Sequence, residues 1–377
     1  MSESVALWLN AAVSRRRTYQ RESGRRRRGW LAGSVLFTLA LVGVIAWRLG
    51  GPVRHSKKFA QHAATASGQS ISQSAPAGTP QVQPAALESE VYPRPVRDVL
   101  EAQIALERQR ISSGSIDGVM GPQTRAAIRA FQRKTNLPGT GELDAETKAR
   151  LTLAAPPLGA CTIRSNDLAR LQPLGKTWLE KSQQSALEFE SILELMAEQG
   201  HSHPALLRAI NRGVDWTHVS AGISLEVPVV TVTEPAAKAA FVRIGLAEKI
   251  LEVFDAETNL LGHFPCSIAQ HVEKRPVGEL RVAVLAPNPN YTFDPELFPE
   301  SDEARQSNTK LVIPPGPNNP VGTVWIGLDK PGYGMHGTAN PEAVGRTESH
   351  GCFRMANWNA ELLLELVWIG MPVYVGP

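Results

Sequence analysis

His336-Gly337-Thr338 and, a short loop later, Ser349-His350-Gly351-Cys352-Phe353-Arg354-Met355 are the stretch from which this chain is best read. Together they hold a soft nucleophile, two imidazoles, a guanidinium and two glycines. The thiolate, not the thiol, attacks a carbonyl, so a cysteine nucleophile needs a base at hand. Cys352 is the candidate nucleophile and His336 the candidate base. His350 lies two residues before Cys352, on the same side of an extended segment, as a second-rank base or a structural hydrogen-bonding group. Attack creates an oxyanion, which the backbone N–H groups of Gly351 and Cys352 are placed in sequence to meet. Arg354 suits a carboxylate ligand. A zinc site is the competing reading, but structural zinc normally takes four ligands and the segment has three candidates and no CxxC pair. No metal is expected.

The two runs resemble the signature of the L,D-transpeptidases, the YkuD-like cysteine enzymes of bacterial cell walls: HGT, a variable loop, then S-x-G-C-x-R-M. The likeness extends through Arg275-Pro276-Val277-Gly278-Glu279, Pro317-Asn318-Asn319-Pro320-Val321-Gly322, Trp325-Ile326-Gly327-Leu328 and Gly332-Tyr333-Gly334-Met335. Phe353 stands where a smaller aliphatic residue is usual and is expected to alter a wall of the site. The resemblance implies that the Gly337 carbonyl orients His336. It places Ser349, His350 and Gly351 among the orienting and oxyanion residues, and Arg354, Tyr333 and Thr338 among the substrate-binding ones. The implied reaction is attack by Cys352 on a stem tetrapeptide, release of D-alanine, and transfer of the thioester to an amine to give a 3→3 cross-link. Water or a protein amine as acceptor would make a carboxypeptidase or a protein-anchoring enzyme. The rival from another class is a non-enzymatic wall-binding protein, which loss of His336 or Cys352 would favour. No organic cofactor is implied.

Working outward, residues 238–377 read as β-rich. Runs at 241–246, 250–254, 260–269, 281–285, 323–328 and 372–375 are β-type, separated by turn-forming residues. One helix is expected at 361–369. The stretch 287–320, rich in Pro and Asn, is too long for an ordinary connection and reads as a functional loop or lid. The resemblance implies a β-sandwich-like catalytic domain.

Two units precede it. In 97–153, Thr124, Ala127, Ile128 and Phe131 follow the spacing of one helical face. Pro122 suits a first turn, and Asp144 an N-cap. With Ile116-Asp117-Gly118 and Thr140-Gly141-Glu142-Leu143-Asp144, this unit resembles the three-helix peptidoglycan-binding domain. In 186–230, Ile192, Leu195 and Met196 mark one helix, Pro204 begins a second, and a short strand starts at Ile223. That unit resembles a degenerate LysM module, whose family binds N-acetylglucosamine chains. The fold class is therefore multidomain α+β.

The N-terminus has a different character. The first 30 residues hold eight arginines against two glutamates, a surplus of six, so the +3 of the whole chain leaves the remainder at −3. No basic surface dominates that remainder, and nucleic acid is not an expected partner. Residues 29–47 form an uncharged, mostly apolar run bracketed by Trp30 and Trp47. About 20 such residues cross a bilayer as a helix, and the basic segment 1–28 places the N-terminus in the cytoplasm. The expectation is a single-pass anchor in the cytoplasmic membrane, a flexible linker over 48–96, and a catalytic domain outside the cytoplasm. Peptidoglycan stem peptides, glycan strands and the membrane are the expected partners. Cys161 and Cys266 are left free to pair or to stay reduced.

Overall fold

The computed structural model describes residues 90–235, 237–297, 309–347 and 351–377. The segments 1–28 and 29–47 and most of 48–96 lie outside the described residues, as do Ser349 and His350. Among the described residues, no helix is long and apolar enough to cross a membrane.

The first unit runs β1 (Arg94–Pro95), α1 (Val99–Glu107), α2 (Pro122–Lys134), α3 (Ala145–Arg150) and β2 (Thr152–Leu153), with β2 antiparallel to β1. Asp98 Oδ1 accepts from Glu101 N at 2.9 Å and Asp144 Oδ1 from Thr147 N at 2.8 Å, and Pro122 opens α2. Each cap satisfies an amide that has no partner inside its helix. Thr124, Ala127, Ile128 and Phe131 are all buried, as their spacing implied.

The second unit comprises β3 (Leu158–Thr162), α4 (Ser165–Ala169), α5 (Trp178–Ser182), α6 (Ile192–Gln199), α7 (Pro204–Ile210) and β4 (Ser224–Pro228). The two helices and the last strand fall where the sequence put them. The partner of β4 is β3, with Cys161 opposite Leu225, so the unit begins well before residue 186. A lone strand leaves its backbone groups unpaired; here β3 supplies the second row. Its half-exposed residues, including Gly159, gave no apolar run to read.

The third unit holds β5 (Phe241–Gly245), β6 (Ile250–Phe254), β7 (Leu260–Pro265), β8 (Gly278–Pro287), β9 (Tyr291–Phe293), β10 (Leu311–Ile313), β11 (Val324–Leu328), β12 (Gly334–His336), β13 (Phe353–Arg354), α8 (Asn357–Leu366) and β14 (Pro372–Gly376). The sandwich-like expectation needs correcting. Eight strands form one mixed sheet in the order β13-β12-β11-β8-β14-β5-β6-β7. Just past β7, Ser267 N donates to Arg354 O at 2.7 Å and Arg354 N to Ser267 O at 3.1 Å. Those bonds join one end of the sheet to the other, so the sheet curls back on itself. α8 packs inside the curl through Ala360, Leu363 and Leu366, against Phe264, Ile326 and Met335. The stretch expected as a loop contains the β9–β10 hairpin, with Phe293 opposite Leu311.

The units interlock. Residues 110–116 act as a shared strand: Ser112 N donates to His263 O at 2.8 Å, His263 N to Arg110 O at 2.8 Å, and Ile116 N to His201 O at 2.9 Å. Phe254 and Leu260 pack into the core of the first unit beside Leu106 and Ile128.

Candidate active site

Alternation along paired strands decides which side chains meet. β12 pairs in parallel with β13, Met335 opposite Phe353 and His336 opposite Arg354. Met335, Phe353 and Met355 are buried in the core. Neighbouring residues on a strand face opposite ways. His336, Cys352 and Arg354 therefore share the other face. Phe353 points into the core, so the change at this position fills the interior and does not form a wall of the site, contrary to expectation.

β11 adds Trp325 on the same face, opposite His336 in register and stacked on its ring at 5.6 Å and 25°. His336 Nδ1 lies 2.7 Å from the Gly337 carbonyl. A carbonyl only accepts, so Nδ1 carries the proton and Nε2 offers its lone pair. This is the orienting contact expected of Gly337, and it adds no charge. Burial pushes the imidazole pKa down to about 4; the Gly337 bond opposes this and the Arg354 charge adds to it. Burial likewise pushes the Cys352 thiol up to about 11, against a hydrogen bond with the Gly334 backbone. Cys352 Sγ also lies 3.5 Å from Gly332 O. With the imidazole lowered to about 4 and the thiol raised to about 11, both groups are neutral near pH 7 in the free protein. A low-dielectric site disfavours both charges.

The other expected residues divide. Arg354 Nη2 donates to Thr347 Oγ1 at 2.7 Å, with its head on the nucleophile's face. Tyr333 lies beside Gly351, under the ammonium of Lys330 at 4.4 Å. Thr338 is buried, and its hydroxyl accepts from Asn340 N at 3.2 Å within the following turn. Cys161 and Cys266 are both free. Cys161 sits on β3 and Cys266 in the catalytic core, where burial raises its thiol to about 12. Among the described residues, no group of three or more His, Cys, Asp or Glu is arranged to hold a metal.

Two residues went unnoticed in the sequence. Asn357, fully buried at the start of α8, accepts from Thr338 N at 3.0 Å and Thr323 N at 3.2 Å, and donates to Pro317 O at 3.1 Å. It ties the His336 turn to the 317–323 loop. A Cβ on Gly322 or Gly337 would collide with its Oδ1, which is why both positions are glycine. Paired glycines around one amide were the available signal. The second is Tyr291 on the β9–β10 hairpin. Its hydroxyl is pushed up to about 12 by burial and, next, by the charge of Cys352, which places it near the thiol.

The match to known proteins follows these boundaries. Residues 239–375 match the family model "L,D-transpeptidase catalytic domain", and residues 96–151 match the "Putative peptidoglycan binding domain". Residues 239–375 are thus similar to the YkuD-type L,D-transpeptidase catalytic domain. A Bacillus licheniformis protein named "Putative L,D-transpeptidase YkuD" is 26% identical over 188 residues, 50% of this chain and 94% of that protein. Escherichia coli "Probable L,D-transpeptidase YbiS" is 27% identical over 182 residues, 48% of this chain and 58% of that one. Among solved structures, an L,D-transpeptidase from Xylanimonas cellulosilytica aligns over 76% of this chain and 100% of its own, at 14% identity and a TM-score of 0.31.

Proposed function

We propose that the protein is a peptidoglycan L,D-transpeptidase working through a Cys352 thioester. The observation that supports this reading is that β12 carries the carbonyl-oriented His336 alongside β13, which begins one residue after Cys352. His336 Nε2 takes the thiol proton as sulfur attacks the carbonyl of the third stem residue. The amides of Gly351 and Cys352 receive the oxyanion, and the imidazolium returns its proton to the departing D-alanine amine. Because the free pair rests neutral, charge separates only as the C–S bond forms, when oriented donors contribute most. A second stem amine then attacks the thioester, giving the 3→3 link. Arg354 suits the substrate carboxylate. Ser349 and His350 serve as orienting residues in this proposal, and the span 29–47 anchors the chain with its catalytic domain outside the cytoplasm.

Incubation with a carbapenem, intact mass and peptide mapping test the assignment. An adduct on Cys352 is expected, and a disaccharide tetrapeptide should yield free D-alanine. An adduct on Cys161 or Cys266 would overturn it. Released D-alanine without cross-linked product would favour the hydrolase.

A further inference from the structure

Trp325 lies on the face of the sheet that carries His336, and its neighbours fix how its ring sits there. In register it stands opposite His336, while Gly327 stands opposite Gly334 on the same two strands. A Cβ on Gly334 would come within 2.7 Å of the indole Cζ2 and 2.8 Å of Cη2, and one on Gly327 within 3.0 Å of Nε1. The indole therefore lies down along the sheet, over two positions that glycine leaves clear. So seated, it meets the His336 ring at a centroid distance of 5.6 Å and an angle of 25°.

This wall supplies what the hydrogen bond to His336 leaves open. The Gly337 carbonyl lies 2.7 Å from Nδ1, but a single bond at one edge lets the imidazole rock about it. A planar wall against the ring removes that freedom, and a base must be held in line with the proton it takes. The same wall covers the ring: His336 is 7% exposed, whereas Trp325 is half-buried with its far side open. An indole face also attracts a cation, which works towards a charged imidazole. Burial is the larger influence here, because it brings the ring down to about 4.

We infer that Trp325 is a positioning residue for the Cys352 reaction: its indole, seated on Gly327 and Gly334, holds the His336 ring in one orientation and keeps water from it. The inference rests on the transpeptidase reading, in which His336 takes the thiol proton.

The rate of carbapenem acylation of Cys352, followed across pH in the full chain, tests it. Acylation of the unsubstituted chain at Cys352 reports the catalytic reading by itself. Trp325→Ala opens the imidazole to water and should move the acid limb up by about one pH unit or more. Its plateau rate should fall about tenfold or more as the ring loses its orientation. Trp325→Phe keeps a ring beside the imidazole and should leave the limb near its original place. Gly334→Ala acts from the other side, by lifting the indole off the sheet, and should shift the limb in the same direction as Trp325→Ala. Combined with Trp325→Ala it should add little, because no indole is left to displace. A tryptophan that serves only stability would lower the melting temperature and leave the limb unmoved. If Trp325→Ala fails to fold, the contrast between Trp325→Phe and Gly334→Ala decides. An acid limb that stays in place or moves down in the folded variants, or a glycine effect that persists in full without the indole, would overturn the inference.

Discussion

At the scale of residues, function depends on how far the fold suppresses charge before substrate arrives. His336 is held at about 4 and Cys352 at about 11. The base must be neutral to accept a proton, and the lowered imidazole pKa moves its acid limb down. Carbapenem acylation of Cys352, followed by stopped-flow fluorescence, should therefore stay flat from about pH 5.5 to 9 and fall only towards pH 4. An acid limb near the ordinary histidine value would show that burial does not lower the His336 pKa. His336→Ala should lower acylation by roughly 100-fold or more, the usual contribution of a positioned base. Asn357→Ala tests the clamp: two buried amides lose their acceptor, at a cost of about 2–4 kcal/mol, and acylation should slow with stability. Unchanged melting and rate would remove Asn357 from the site. The proposed reacting pair could be picked out in the sequence because chemistry restricts which side chains suit such a reaction. Asn357 was not, because an amide that serves backbone groups distant in sequence has no local pattern. Its helix was expected to start at 361, which left it in a nominal loop.

At the scale of elements, periodicity revealed what is amphipathic and missed what is short. β5, β6, β11 and β14 stand within a residue or two of their expected bounds. β12 and β13, three and two residues long, carry the site but are too short to show alternation. The β9–β10 hairpin was hidden in a Pro- and Asn-rich stretch for a related reason: its apolar face is covered from outside the catalytic domain. Trp178 of α5 stacks on Phe293 at 4.6 Å and 13°, beside Leu187 and Ile313. Since Tyr291 on that hairpin lies near Cys352, Trp178→Ala should loosen the hairpin over the thiol. Hydrogen exchange should quicken at 291–293 and 311–313 and leave β5 and β6 unaffected. Equal protection in both proteins would mean that the hairpin stands alone. α6 adds a pH effect. Burial, then the charges of Glu361, Glu194 and Glu342, raise the Glu198 carboxyl to about 8, against its bond with Asn357. The folded state thus holds a proton that the unfolded chain releases near 4.5. The stability from that proton is full below 4.5 and is lost as pH rises through 8. Glu198→Gln should flatten that decline in denaturant titrations between pH 5 and 8, and an unchanged slope would assign it elsewhere.

At the scale of the whole molecule, the sequence marked three units without saying how they meet, and residues 91–377 pack as one body. The main elements of each unit were legible because they are amphipathic, although the middle unit starts at β3, ahead of the expected residue 186. Their union was not, because it depends on a few residues without periodicity, Arg110, Ser112 and Ile116 among them. At its centre is Glu252, fully buried and bonded to His263, Arg243 and, from α2, Arg133. Burial alone would raise its carboxyl, but the His263 hydrogen bond and the charges of His263, Arg133 and Arg243 bring it to about 2. The depressed value means that this group stabilises the fold above its unfolded pKa of about 4.5, and that the contribution disappears as pH falls from there through 2. Removing the helical unit would take Arg133 from this cluster, strip β7 of the 110–112 partner and uncover Phe254 and Leu260. A fragment of 238–377 should therefore melt well below the full chain at pH 7 and tend to associate. Calorimetry compares the two directly: one cooperative transition for 91–377, a lower one for the fragment, and Arg133→Ala in between. If the fragment melts as high as the full chain, the interface contributes little to stability, and the helical unit is free to move relative to the sheet.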